Sequence, residues 1–306
     1  MNIEINRIND EIRESASEFV CEVNEAYMYH LDKIVDSIAE NKNEKPIILL
    51  SGPSGSGKTT TAFMIEKLLN EKGCPTHTLS MDNYFCPLTK EQKELAALGK
   101  MDLESPDRVD KDFLNEQIEA IEKCIPVEIP RYNFAESRRE KSEITIERKK
   151  GEMVIFEGIH SLNPDVITVP DSRICKIYVS VRTRITCGDI ILHPSKIRLM
   201  RRMIRDSLFR KRSLRETMNM FASVENGENK YIMPYKHRSD YDIDTFMAYE
   251  LNVYKDMLMW QIQEMSDVAE LADVCKVLET AEHLDRSLIT PDSLICEFIG
   301  KGQFKY

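Results

Sequence analysis

The sequence is poor in the residues that interrupt regular structure: 306 positions hold 11 glycines and 12 prolines, and no stretch is low in complexity. That scarcity excludes a collagenous or linker-rich chain. No segment recurs at a fixed period, which excludes a solenoid. The opening MNIEINRINDEIRE has neither a basic n-region nor an apolar h-region, so no secretory signal is visible. No apolar run approaches the length a bilayer requires. The eight cysteines form no CxxC pair, which argues against a disulfide or zinc framework. They read as small core or boundary residues of a chain in a reducing cytoplasm.

What is present is apolar material enough for one large domain, or a domain with appendages: 42% of the residues are hydrophobic and 31% charged. The formal charge of −10 argues against a general nucleic-acid binder. The charge is unevenly spread, however. From Lys196 to Arg215 there are nine basic residues and one acid, Asp206, and that stretch needs a local reason.

Along the chain, Ile8, Ile12, Phe19, Val20, Val23, Tyr27, Leu31, Ile34, Val35 and Ile38 recur at helical spacing, which predicts one or two amphipathic helices over 7–40. A polar run to Lys45 reads as a linker. Pro46–Ser51 is then a short apolar run of the kind buried in a parallel sheet. Further strands are predicted at Thr76–Met81, Met153–Phe156 and Lys176–Val181, with helical patterns over 58–72, 109–124, 196–222 and 245–283. Strands alternating with helices imply a doubly wound α/β domain. The segment 126–150 reads as a small β-hairpin excursion from its sheet.

Between the first strand and its helix lies Gly52-Pro53-Ser54-Gly55-Ser56-Gly57-Lys58-Thr59, which fits G-x-x-x-x-G-K-[ST]. Glycines let the backbone curl so that successive N–H groups point at phosphate oxygens. The following helix adds its positive end. Lys58 is placed to reach the β- and γ-phosphates and Thr59 to hold Mg²⁺. The preceding strand and following helix are the context this P-loop motif needs, so an accidental Gly/Ser turn is the weaker reading.

Three features downstream bear on what the nucleotide is for. Asp82 follows the second strand, at the sheet edge where α/β proteins bind ligands. It suits a base for an acceptor hydroxyl or a water-mediated Mg²⁺ partner; a turn-capping aspartate is the plain alternative. Glu157 ends the strand Met153–Phe156 as a Walker-B-like metal partner would, or as a solvated strand end. The basic stretch 196–215 suits a lid whose cations neutralise a transferring phosphoryl group and whose closure excludes water. A solvated basic helix face and an RNA-binding helix are its rivals. The base-reading N/T-K-x-D of GTPases and an LSGGQ-like transporter motif are both missing from the sequence.

Taken in order, GPSGSGKTT, MDNYF, LESPDRVD, IPRYNF, VIFEGIH, KIYVSV, RLMRRMIRDSLFRKR and SVENGENKYIMPY resemble the uridine kinase/phosphoribulokinase family from about Lys45 to Tyr306. The resemblance is greatest to a bacterial branch of nucleoside-kinase-like proteins that share EGIHSLNP and an ending like Glu297-Phe298-Ile299-Gly300. Members of that branch often carry TGS and synthetase-like segments upstream, so this chain reads as a stand-alone kinase domain with a helical leader. By resemblance Asp82 is the catalytic aspartate, and Glu104 falls where uridine kinases contact ribose hydroxyls. Tyr132 matches an aromatic near the nucleobase, and Arg139 a basic residue after it. Arg201, Arg202 and Arg205 match the start of the lid. Arg210 and Arg212 match its arginine pair, with Lys211 in place of the usual glycine. The base-reading histidine of uridine kinases is Ser137 here, which loosens the pyrimidine assignment.

The sequence therefore implies a P-loop NTPase fold of the α/β class. Its expected parts are a doubly wound parallel sheet, a β-hairpin excursion, an Arg-rich helical lid over about 190–225, an N-terminal helical extension (1–44) and a kinase domain (45–306). The expected activity is ATP- and Mg²⁺-dependent transfer to a primary hydroxyl, the 5′-hydroxyl of a nucleoside foremost. A sugar or pantothenate-like alcohol, or ATP binding without turnover, stands as the alternative. Expected catalytic residues are Asp82, Lys58, Arg201 and Arg205, with Thr59 and Glu157 on the metal. Gly52, Ser54, Gly55, Ser56, Gly57, Lys58, Thr59, Thr60, Arg210 and Arg212 are assigned to the nucleotide. Asp82, Tyr84, Glu104, Tyr132, Arg139 and Arg202 are assigned to the acceptor. A small hydroxyl compound is the expected partner, rather than nucleic acid or membrane, and the N-terminal apolar stripe leaves homo-oligomerisation open.

Overall fold

The computed structural model describes residues 1–98, 100–142 and 144–304; Gly99, Glu143, Lys305 and Tyr306, all within the expected kinase region, lie outside the described residues. The chain opens with β1 (Asn2–Glu4) and α1 (Ile5–Glu40), followed by β2 (Ile47–Ser51), α2 (Lys58–Glu71), β3 (Thr76–Ser80), α3 (Lys90–Ala97) and α4 (Lys111–Glu122). Four short strands come next: β4 (Val127–Glu128), β5 (Arg131–Asn133), β6 (Arg138–Glu140) and β7 (Thr145–Ile146). Then come β8 (Met153–Glu157), β9 (Ile174–Ser180), β10 (Arg184–Cys187) and β11 (Ile190–Leu192). The remainder is α5 (Pro194–Arg210), α6 (Leu214–Tyr231), β12 (Tyr241–Asp244), α7 (Glu250–Glu264), α8 (Ala272–Thr280) and α9 (Cys296–Ile299).

Five strands run parallel in the order β12-β9-β2-β8-β3. The three inner strands are buried on both faces, which is why they read as continuous apolar runs. Successive side chains alternate between two cores. Ile48 and Leu50 join the core shared with α1, α2, α5, α7 and α8, while Ile47 and Leu49 join the one under α4. The chain leaves β2 for β3 and β8 on one side, then crosses to β9 and β12 on the other. The carboxyl end of β2 is thus a switch point, where ligands bind in such sheets.

Residues 1–44 pack into this body. β1 pairs in parallel with β10. Leu31, Ile34, Val35 and Ile38 turn one face of α1 into the first core. On the same side Lys72, which caps the C-terminus of α2, sits between Asp32 and Asp36, at 2.8 and 2.7 Å. Helical geometry breaks once in α1, at Ser15 (φ −159°, ψ 94°).

Three stretches differ in detail from their sequence pattern. The helical run 196–222 is two helices, parted where Lys211 takes a left-handed conformation (φ 55°) and Ser213 starts α6 with a capping box to Glu216. The 126–150 excursion is two nested antiparallel ladders, β4 with β7 and β5 with β6. The edge strand β12 has no counterpart in the predicted elements, because only Ile243 of Tyr-Asp-Ile-Asp is fully buried.

Candidate active site

The P-loop follows the central strand and turns into α2. Gly57 makes that turn in the left-handed region (φ 84°), which a side chain would strain. Thr61 closes the first turn, its amide and hydroxyl donating to the Gly57 carbonyl at 3.0 and 2.8 Å. Lys58 and Thr59 head the helix, where amides lack intrahelical acceptors and the dipole is positive. Lys58 Nζ donates across the loop to the Pro53 carbonyl at 3.2 Å. The Ser56 hydroxyl is buried with no hydrogen-bond partner among the described residues. A cation, the positive end of a helix and an unpartnered hydroxyl in one loop fit a polyphosphate.

Two acids stand at neighbouring strand ends. Glu157 closes β8, in register with Leu50 of β2 and Ser80 of β3, and is 6% exposed. Asp82 lies two residues beyond β3 in a 3₁₀ turn capped by the Ser80 hydroxyl, which accepts from the Asp82 amide at 3.4 Å. Burial raises Glu157 well above the usual carboxylate range and the charge of Asp82 raises it further; Lys58 opposes both. Burial raises Asp82 too, against Lys58, Arg210 and Arg205. Lys58 and two lid arginines therefore act electrostatically on the acid at the end of β3. Thr59 and Glu157, a hydroxyl and a carboxylate beside the phosphate loop, are a donor set that suits Mg²⁺.

The basic stretch divides into two sets of contacts. Arg198, Arg201, Arg202 and Arg205 recur at helical spacing along one face of α5. Arg198 donates to the Ser54 carbonyl at 3.2 Å and pairs with Glu228 of α6. Arg202 donates to the Ser54 hydroxyl, its own pKa pushed down to about 10 by burial and by Arg205. Arg201, expected to be catalytic, is instead a core residue. Its exposure is 0%, it forms a two-point ion pair with Glu250 at 2.7 and 2.9 Å, and it donates to the carbonyls of Gly55 and Thr245. It fixes the P-loop from beneath. Arg205, Arg210 and Arg212 gather around buried Asp206, at 3.0, 3.3 and 3.7 Å. Its first three arginines are thus enclosed, while the side chains of Arg210 and Arg212 are 48% and 39% exposed.

Among the residues assigned to the acceptor, Glu104 is raised by burial, opposed by Arg202 and Lys58. The segment 102–104 is covered by α6, where Tyr231 donates its hydroxyl to Asp102 at 2.8 Å. Two residues assigned to the acceptor are committed elsewhere. Tyr84 is fully buried on the opposite side of its turn and donates to Gln117 of α4 at 2.7 Å. Arg139 forms a two-nitrogen contact with Asp110, both at 3.0 Å, and donates to the carbonyls of Tyr84 and Phe85. Tyr132 is 6% exposed, edge-on to Phe85 and Phe134, with its hydroxyl accepting from Arg108. The open ring of that trio is Phe134, 63% exposed. Ser137 lies in the β5–β6 turn with φ 48°.

Thr60 departs from expectation as well. Its hydroxyl and amide donate to Glu297 of α9 at 2.7 and 3.3 Å. Leu294 packs where a side chain on Gly57 would stand, and Phe298 covers Arg201 with its ring centroid 5.0 Å away. The EFIG ending has no task legible in the sequence, since nothing local ties Glu297 to a residue 237 positions away. Glu250 and Asp206 were missed for the same reason: an acid amid helical residues carries no mark of the arginine it will meet.

Comparison with known proteins agrees with this geometry. The Phosphoribulokinase / Uridine kinase family matches residues 47–251, from β2 to the start of α7. The chain is 32% identical over 197 residues to a uridine kinase of Staphylococcus aureus (strain JH9), covering 63% of this chain and 84% of the relative. Among solved structures, a candidate fructose transport system kinase from Silicibacter sp. TM1040 covers 70% of this chain and 98% of its own, with TM-score 0.54 and 16% identity. YFH7 from Saccharomyces cerevisiae covers 70% and 97%, with TM-score 0.50 and 11% identity. These two speak for the fold alone. No described helix is long and apolar enough to cross a membrane. With its P-loop, strand-end acids and Arg-rich lid all inside the matched span, the chain belongs to the phosphoribulokinase/uridine kinase family and is an ATP-dependent kinase.

Proposed function

We propose that this kinase phosphorylates a primary hydroxyl of an uncharged small molecule, foremost the 5′-hydroxyl of a nucleoside. The carrying observation is the position of Asp82: beside Glu157, within charge reach of Lys58, and facing Arg205 and Arg210. Lys58, the Ser56 hydroxyl and the loop amides hold the β- and γ-phosphates. Thr59 and Glu157 hold Mg²⁺, which offsets phosphate charge. Asp82 accepts the proton as the acceptor oxygen bonds to the γ-phosphorus and the bridging bond to the β-phosphate breaks. Arg205 and Arg210 neutralise the transferred group, held in place by Asp206. The need for ATP and the eight unpaired thiols favour the cytoplasm.

A phosphorylated sugar is the weaker acceptor. Arg139 is taken by Asp110 and Arg138 by Glu140, while Asp82 and Glu104 stand on that side. Kinship to a uridine kinase supports a nucleoside. The test is a screen of nucleosides and sugar alcohols with ATP and Mg²⁺, product read by mass. In D82N we expect intact ATP binding and transfer slowed about 100- to 10,000-fold. Near-wild-type transfer in D82N would remove Asp82 from the base role.

A further inference from the structure

His160 follows Glu157 by three residues and is 2% exposed, yet neither ring nitrogen makes a hydrogen bond of normal geometry among the described residues, although the Glu104 backbone lies near enough to favour the protonated ring. A buried polar group in that state costs free energy, and folded proteins satisfy such groups with water or a ligand. The ring stands edge-on to Tyr231 of α6, 6.2 Å between centroids. With Met81, Asp82, Phe85, Val109 and Ile159 it lines a small cavity of about 10 Å³. That is room for about one water or one hydroxyl group. The imidazole therefore shares its cavity with the acid assigned to the acceptor, at the junction of α6 with the 102–104 segment.

Burial pushes the His160 pKa down to about 4, with the charges of Lys111 and Lys58 adding to it and the Glu104 backbone and Asp102 opposing. The ring is neutral at pH 7, with one nitrogen that donates and one that accepts. A hydroxyl, itself donor and acceptor, complements either nitrogen. A phosphate there would bring its charge toward the three acids Asp82, Asp102 and Glu104 as well as toward Lys58 and Lys111, whereas an uncharged hydroxyl meets no such repulsion.

We propose that His160 is an acceptor-binding residue, whose imidazole hydrogen-bonds a non-reacting hydroxyl of the phosphate acceptor and selects an uncharged polyol over its phosphate ester. This rests on the reading of Asp82 as the acceptor-side base. The test uses the full chain with ATP and Mg²⁺, against ribonucleosides, free sugars, alditols and the phosphate esters of each. For the best acceptor, kcat and both KM values are compared in the wild type, H160L and H160N. H160L is expected to raise the acceptor KM about tenfold or more, with the ATP KM and ATP affinity unchanged. H160N, which keeps a donor and an acceptor, is expected to recover part of the loss. Retained ATP affinity shows that the variants are folded. An unchanged acceptor KM and kcat in H160L overturns the assignment alone, as does a preference for phosphate esters in the wild type. If the wild type phosphorylates none of these compounds, the proposed function falls and this assignment falls with it.

Discussion

One carboxylate oxygen of Glu297 accepts from both the hydroxyl and the amide of Thr60, at 2.7 and 3.3 Å, in the first turn of the helix that follows the P-loop. A helix N-terminus is an anion site, and here the chain places an anion of its own beside the place of the triphosphate. The charge of Glu297 is felt as far as Glu157.

E297Q keeps an oxygen for the Thr60 hydroxyl while removing that charge. ATP should then bind more tightly, by about 1 kcal/mol or roughly fivefold at low salt, with the gain shrinking as salt rises. Titration calorimetry of both proteins with ATP, at two ionic strengths, measures this. Weaker binding in E297Q would make the carboxylate part of the nucleotide apparatus rather than its competitor.

Arg201 and Glu250 make the opposite kind of pair, both with 0% exposure and unable to do chemistry on a substrate. R201M leaves Glu250 as a buried charge without its partner, which should cost about 3–5 kcal/mol in urea unfolding. R201M/E250Q should regain most of that loss, a coupling that the double-mutant cycle reads directly. Wild-type stability in R201M, with only kcat reduced, would restore the catalytic reading of the sequence.

Arg201 and Arg205 show why the lid was only partly legible. They lie four residues apart on one face of α5, and the pattern treats them alike. What separates them is depth: one meets Glu250, 49 residues on, while the other meets its own neighbour Asp206 and faces Asp82. The motif residues that could be placed from sequence are those fixed by local geometry. The P-loop lies between a buried strand and a helix, Glu157 ends an apolar strand and Asp82 follows the end of another strand. Tyr84 looked like a site residue by proximity to Asp82, but two steps around a 3₁₀ turn carry its ring into the core against α4. Glu297 and His160 depended on tertiary contacts that no local pattern encodes.

Gly227 tests how closely α6 sits on the segment that holds Glu104. Replacing a mid-helix glycine by alanine normally stabilises by about 1 kcal/mol. Here the new Cβ would stand 2.4 Å from Glu104 Cβ and 2.8 Å from its Cγ. The sign should reverse: G227A is expected to lose about 1–3 kcal/mol and to raise the acceptor KM while sparing the ATP KM. A G227A protein that melts higher than wild type would show that α6 stands off from the 104 segment in solution.

The two strand-end acids set the pH behaviour. Burial raises both Glu157 and Asp82 and the charge of Asp82 raises Glu157 further, with Lys58 working against both shifts. In the roles proposed for them both must be ionised, so kcat/KM should fall on the acid side with a midpoint above the ordinary carboxylate value near 4. Stability runs the other way. A carboxyl whose pKa is raised by folding binds its proton more tightly in the folded state. Its contribution is greatest at low pH and is lost as pH rises from about 4 toward neutrality. In E157Q the group no longer titrates and its repulsion with Asp82 is relieved. Thermal unfolding of the nucleotide-free proteins should therefore show the variant gaining on the wild type as pH rises through that window, even though its kinase activity is lost. Parallel stability profiles would mean that Glu157 is solvated and ionises normally, and that it meets no repulsion from Asp82.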